Sequence, residues 1–311
     1  MIASPILQLR SVAMGLPDVA AAEAFYTKIW RLSVASRKGS SVYLRGTGAD
    51  HHLLALHETA TPQLLDVTFR ATSVAALDQI GASVALHGGK LLAARAPVTE
   101  PGGGEAVVIQ DPQGRILRCV WRDERHADTD DSLNSPVRLA HAVLNSHSVA
   151  DALPFYKNVL GFSLSDRTRG MAFIRIPSKP SGDHHSLALA DADNDCLNHV
   201  AFVMSSLDGV MRGGGRMKDA GYAIEWGPGR HGPGDNAFNY FIGPAGFVIE
   251  YTAEVEQVDE TYTAGGPDNW TWPPGRVDQW GISAPPSPQL RQAQRQILFA
   301  SADDLRALKV I

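Results

Sequence analysis

Apolar and polar positions along the chain fall into short alternating runs of strand type and a few longer runs with apolar residues three and four apart, of helix type. The segment AAAEAFYTKIWRLSV, from Ala20, reads as an amphipathic helix running into a strand, and ADALPFYKNVLGFSL, from Ala150, repeats it. HHLLAL from His51 is matched by HHSLAL from His184, each a short apolar run of strand type. IQDPQGRILRCVW from Ile109 parallels FIGPAGFVIEYTA from Phe241. Both give a strand, a Pro/Gly turn and a second strand. A pattern that returns after about 130 residues points to a duplicated unit.

Intervals inside the two copies agree better than the residues do. His52 to Asp66 and His185 to His199 are both 14, while Asp66 to Arg118 is 52 and His199 to Glu250 is 51. Each copy divides again, because LLDVTFRATSVAALDQIGA and LNHVAFVMSSLDGVMRGGG repeat the strand, turn and helix that open it. The predicted fold is α+β: two similar domains, each of two paired βαβββ modules. Residues 1–124 form the first, 125–136 a polar linker, 137–256 the second, and 257–311 a Trp/Pro-rich arm with a C-terminal helix. Trp270, Trp272 and Trp280 predict that the arm is ordered and packed over the second domain, since indoles are rarely left in water in such numbers. Leu290, Ile297 and Leu298 fall at helix-like spacing, with a break near Ala300.

Composition narrows the classes. With 44% hydrophobic and 20% charged residues over 311 positions, the chain is long enough for two compact cores. A net charge of -5 offers no basic field for nucleic acid or an anionic membrane. Arg10 cuts the apolar N-terminal run, and no stretch approaches about 18 uninterrupted apolar residues, so neither a signal peptide nor a membrane span is expected. Two cysteines, Cys119 and Cys196, build no disulfide framework, which fits a reducing cytoplasm.

Chemistry enters where the copies differ. At the three interval-matched positions the first copy carries Ser11, Asp66 and Arg118, and the second carries His141, His199 and Glu250. Only the second set can hold a metal. Two imidazoles and one carboxylate make a facial triad, a donor set associated with non-haem Fe(II) oxygenases because it leaves adjacent coordination positions open. All three sit in predicted strands (RLAHAVL, LNHVAFV, FVIEYTA), which are rigid mounts for ligands.

The pieces LAHAVLNS, FYKNVLGF, HHSLAL, LNHVAFV, GPGRHGPGDNAFNYFIGPAG and VIEYTAE, covering residues 137–256 densely, resemble the catalytic domain of type I extradiol catechol dioxygenases. That family lies within the vicinal oxygen chelate superfamily of glyoxalases and bleomycin-resistance proteins. The resemblance implies curved, barrel-like mixed sheets around a pocket, and His141, His199 and Glu250 as ligands of Fe(II), with Mn(II) as a substitute. It implies His185 as the acid-base residue, His231 as a hydrogen-bond donor to the substrate oxygen, and Tyr240 as a phenol contacting the substrate. Its partners would be a small aromatic diol and O2, in a cytoplasmic homo-oligomer. Trp226 stands where relatives acting on carboxylated catechols tend to carry arginine, so the expected diol is neutral, with methyl, chloro or hydroxyl groups. A glyoxalase-like isomerase and a bleomycin-sequestering binding protein are the competing readings.

Overall fold

The computed structural model describes residues 4–130 and 132–311. Four βαβββ units follow one another. The first comprises β1 (Ile6–Leu16), α1 (Val19–Lys28), β2 (Ser33–Lys38), β3 (Ser41–Arg45) and β4 (Leu54–Glu58), and the second β5 (Gln63–Ala71), α2 (Val74–Ser83), β6 (Lys90–Pro97), β7 (Glu105–Gln110) and β8 (Ile116–Trp121). The third has β9 (Arg138–Ser146), α3 (Val149–Leu160), β10 (Ser163–Arg167), β11 (Met171–Arg175), a two-residue strand β12 (Gly182–Asp183) and β13 (Leu187–Asp191). The fourth has β14 (Cys196–Val203), α4 (Leu207–Asp219), β15 (Trp226–Arg230), β16 (Ala237–Ile242) and β17 (Val248–Ala253). This is the α+β architecture of the predicted modules.

The four helices start alike. Asp18, Ser73, Ser148 and Ser206 each accept a hydrogen bond from the amide three residues on, satisfying a donor that the helix itself cannot. Strand, cap and helix therefore recur as a local unit four times.

Pairing reproduces the sequence intervals as strand register. In the first half β5 lies between β1, antiparallel, and β8, parallel, so that Thr68 faces Ser11 on one side and Arg118 on the other. In the second half β14 lies between β9 and β17 in the same way, and Ala201 faces His141 and Glu250. Matching register keeps these side chains on one face even where the intervals differ by a residue or more, because one slipped residue within a strand would turn them to the opposite face.

The halves share a core. Trp30, after α1, is fully buried and stacks on Tyr251 of β17 with ring centroids 3.6 Å apart, and the Tyr251 hydroxyl donates to the Trp30 carbonyl. A continuous buried apolar cluster runs from Ile6 to Ile297 through both.

Beyond Ala253 the chain forms β18 (Gln257–Val258), α5 (Pro288–Ala293), β19 (Ile297–Phe299) and α6 (Ala302–Ala307). Ile297 and Leu298 are strand, not helix. β19 pairs antiparallel with β14 and parallel with β5, filling the gap between the two module-opening strands, and this tertiary pairing overrides helical spacing. The arm indoles are less covered than their number suggests: Trp272 is 39% and Trp280 36% exposed. Among the described residues no helix is long and apolar enough to cross a membrane.

Candidate metal centre

Strand order lays out a single transverse row across one sheet face. Register places His141 (β9), Ala201 (β14), Glu250 (β17), Tyr240 (β16) and Trp226 (β15) side by side, with His199 two residues before Ala201 and so on the same face. Ala201, between the flanking histidine and glutamate, is fully buried and carries only a methyl there.

His141, His199 and Glu250 are all buried, and one donor atom from each lies within 4.8 Å of the others. Glu250 Oε2 is 3.2 Å from His141 Nε2 and 3.3 Å from His199 Nε2, and its Oε1 accepts from Asn236 Nδ2 at 3.4 Å. Burial pushes the Glu250 carboxyl up, but contacts with His141, His199 and His231 outweigh it and hold the group well below the usual carboxylate range. Burial lowers His199 to about 4, so the ring is neutral near pH 7.

A chain of amides fixes which His199 nitrogen carries the proton. The Gln294 carbonyl can only accept, so Asn145 Nδ2 donates to it (2.9 Å). Asn145 Oδ1 then accepts from Asn198 Nδ2 (2.9 Å), and Asn198 Oδ1 accepts from His199 Nδ1 (2.8 Å). His199 Nε2 is left with a lone pair, and a carboxylate oxygen stands 3.3 Å from it. A lone pair and an anion in a dry site repel, and a cation between them removes the conflict. The donor set therefore fits a divalent metal.

The other predicted residues lie around this cluster. Tyr240 Oη is 3.3 Å from His199 Nε2 and 3.0 Å from His231 Nε2. The His231 ring stacks on Phe238 at 4.0 Å. His185, just before β13, packs its ring on His141 with centroids 4.3 Å apart. Burial, then the neighbouring His141 and His184, hold His185 well below the ordinary imidazole value. Gly234, with φ at +82°, lets the His231 loop turn against this ring, since a Cβ there would stand 2.9 Å from His185 Cε1. The arm braces the same loop: Gln279 donates to the His231 carbonyl, and buried Asp278 accepts from the Arg230 amide.

Asn198 and Asn236 escaped the sequence reading. Asn198 adjoins His199, and Asn236 lies in the GPGDN turn between His231 and Tyr240; those positions were the available signal. In the first copy the corresponding place holds charge instead of ligands, with Arg118 Nη2 3.4 Å from Asp66 Oδ2 and 3.3 Å from Glu100 Oε2.

Residues 138–251 match the model of the Glyoxalase/Bleomycin resistance protein/Dioxygenase superfamily. The crystal structure of a Mn(II)-bound glyoxalase from Novosphingobium aromaticivorans is 34% identical, superposes with a TM-score of 0.85, and is matched over 92% of this chain and 94% of its own. The chain belongs to this superfamily. Two curated members are also similar. Metapyrocatechase 2 of Cupriavidus necator is 32% identical over 192 residues, 60% of this chain, and the match spans about half of that relative's length, 51%. Metapyrocatechase of Geobacillus stearothermophilus is 26% identical over 92% of this chain and 93% of its own. The superfamily match falls on the half that carries the triad.

Proposed function

We propose that the protein is an extradiol dioxygenase that inserts both atoms of O2 into a neutral catechol-type diol, giving a 2-hydroxymuconic semialdehyde-type product. His141, His199 and Glu250 hold Fe(II), or Mn(II) in its place. The observation that carries this reading is the convergence of His231 and Tyr240 on a two-histidine, one-carboxylate triad, and similarity to two metapyrocatechases supports it.

When bound, the metal supplies adjacent coordination positions for the two oxygens of a vicinal diol and lowers the pKa of their hydroxyls. The chain's own groups do the rest. His185, neutral and buried beside His141, takes a proton from the diol and later returns it. Tyr240 and His231 present hydrogen-bonding groups where charge develops on oxygen. Water is excluded by Phe238, Trp226 and the braced His231 loop.

The test is oxygen uptake by anaerobically purified, Fe(II)-reconstituted protein given catechol, 3- and 4-methylcatechol, 1,2,4-trihydroxybenzene and 1,2-dihydroxynaphthalene in turn. One oxygen consumed per diol, with uptake abolished in His199→Ala, is expected. Stoichiometric iron with no uptake on any diol would instead favour a glyoxalase-type isomerase, the reading suggested by the Mn(II)-bound relative.

Trp226 sets the expected preference for neutral diols. Its ring lies 5.0 Å from Tyr240 and 5.1 Å from His231, and the nearby Arg230 is engaged with Glu254 and stacked on Trp280. Trp226→Arg should raise kcat/KM for a carboxylated catechol relative to catechol by about tenfold, the scale of one charge-assisted hydrogen bond. An unchanged ratio would remove Trp226 as the determinant.

A further inference from the structure

Behind His185 lies a buried pair with no role in the scheme above. His184 Nδ1 is 3.1 Å from His185 Nδ1, and His184 Nε2 is 2.7 Å from Asp166 Oδ2, with His184 and Asp166 both fully buried. Asp166 also accepts from the Tyr262 hydroxyl at 3.1 Å and the Gly265 amide at 2.6 Å. A carboxylate ringed by donors acts as an acceptor, so His184 Nε2 carries the proton. The Nδ1···Nδ1 contact needs one donor and one acceptor, and the arrangement in which the second histidine donates from Nδ1–H to Nδ1 of the first is the one its first-copy counterpart adopts. The remaining nitrogen of His185, Nε2, is left as an acceptor.

The first copy provides an internal comparison. His51 Nδ1 and His52 Nδ1 are 2.9 Å apart, and His52 Nε2 lies against Arg10 Nη1, which can only donate. His52 is therefore also protonated on Nδ1. The same paired geometry is pinned from opposite ends, by an anion behind the first histidine in one copy and by a cation on the second histidine in the other.

We propose that His184 and Asp166 are positioning residues that lock His185 in the Nδ1–H tautomer, keeping Nε2 as the proton acceptor of the ring that packs on His141. The tautomer is independent of the substrate, whereas its use against a diol rests on the proposed dioxygenase activity. The orienting principle is that a hydrogen bond to one imidazole nitrogen dictates the chemistry of the other.

Long-range proton–nitrogen NMR of imidazole-15N protein loaded with diamagnetic Zn(II), with His185 signals assigned by their loss in His185→Ala, tests this directly. The expected pattern is protonated Nδ1 and unprotonated Nε2, moving toward a mixture in Asp166→Asn. The same change is expected in His184→Phe, which keeps a ring between Phe173 and Tyr262 but removes both nitrogens. Protonated Nε2 in the wild type, or a pattern unmoved in both variants, overturns the proposal. In the Fe(II) form, Asp166→Asn should lower kcat for diol-dependent oxygen uptake roughly 10- to 100-fold at unchanged KM and iron content. Parallel loss of iron and kcat would assign the pair a merely structural role. If the wild type consumes no oxygen, the dioxygenase reading fails while the NMR result still decides the tautomer.

Discussion

Glu250→Gln is expected to abolish metal retention and, with it, diol-dependent oxygen uptake, while leaving the metal-free protein folded. Glu250 is fully buried, and its ion-pair partners among the described residues are the imidazoles of His141, His199 and His231. Contacts with these imidazoles keep the carboxylate ionised, and a buried anion, taken out of water at a cost of several kcal/mol, favours a full positive charge beside it. A divalent cation supplies that charge. Gln keeps the shape and removes the negative ligand, so metal affinity should fall at least about a hundredfold, beyond the range seen when only an outer partner of a ligand is changed. Two measurements check this. Metal content after desalting should drop from near one per chain to background. The rise in Tm on adding metal, present in the wild type because a ligand at 100 times its Kd stabilises by about 2.7 kcal/mol, should vanish. Full metal content in Glu250→Gln would remove Glu250 from the ligand set.

The cluster of His141, His199 and Glu250 was legible in the sequence because duplication supplied its own control. Ser11, Asp66 and Arg118 mark the same register positions as His141, His199 and Glu250, and the matching intervals became matching strand pairings. Modules were legible for a related reason: cap, helix and strand lie close together in sequence, and each is set by local chemistry. The transverse row was not. It depends on β14 lying between β9 and β17, with β16 and β15 following, and no local pattern states that order. Ala201 stands between His141 and Glu250, a placement invisible in an apolar strand. Asp166 and Tyr262 are 96 residues apart and meet only because the arm folds back. Ile297 and Leu298 misled because their spacing suits a helix, while the first residues of β5 and β14, ahead of their pairing with β8 and β17, offered a stronger claim.

The largest stability effect is expected in the half without ligands, from Asp123→Ala. Asp123 receives Arg70 in a bidentate pair, both contacts at 2.7 Å, and Arg10 Nε at 3.1 Å; Arg70 also reaches Asp50 at 2.8 Å. All four side chains are buried. Removing the shared carboxylate leaves the Arg10 guanidinium without its carboxylate and Arg70 with Asp50 alone in a dry interior, which should cost about 3–5 kcal/mol, whereas Asp128→Ala, whose carboxylate is 83% exposed beside Arg45, should cost far less. The pH dependence has a definite sign. Burial alone would raise the Asp123 pKa, but Arg70 and Arg10 outweigh it, so the folded value lies below the ordinary one. The group then contributes stability that is complete above an unfolded pKa of about 3.9 and is lost as pH falls through the folded value. Denaturant midpoints should accordingly show a steeper acid loss in the wild type than in Asp123→Ala below about pH 5, with the gap between them widest near neutrality. Equal midpoints for Asp123→Ala and Asp128→Ala at pH 7 would contradict a buried network. The expected difference follows from how the first copy fills its centre: Arg10 precedes Ser11, the counterpart of His141, and its guanidinium joins Asp123 to His52. Charge pairing there holds together a sheet whose duplicate carries the two-histidine, one-glutamate cluster.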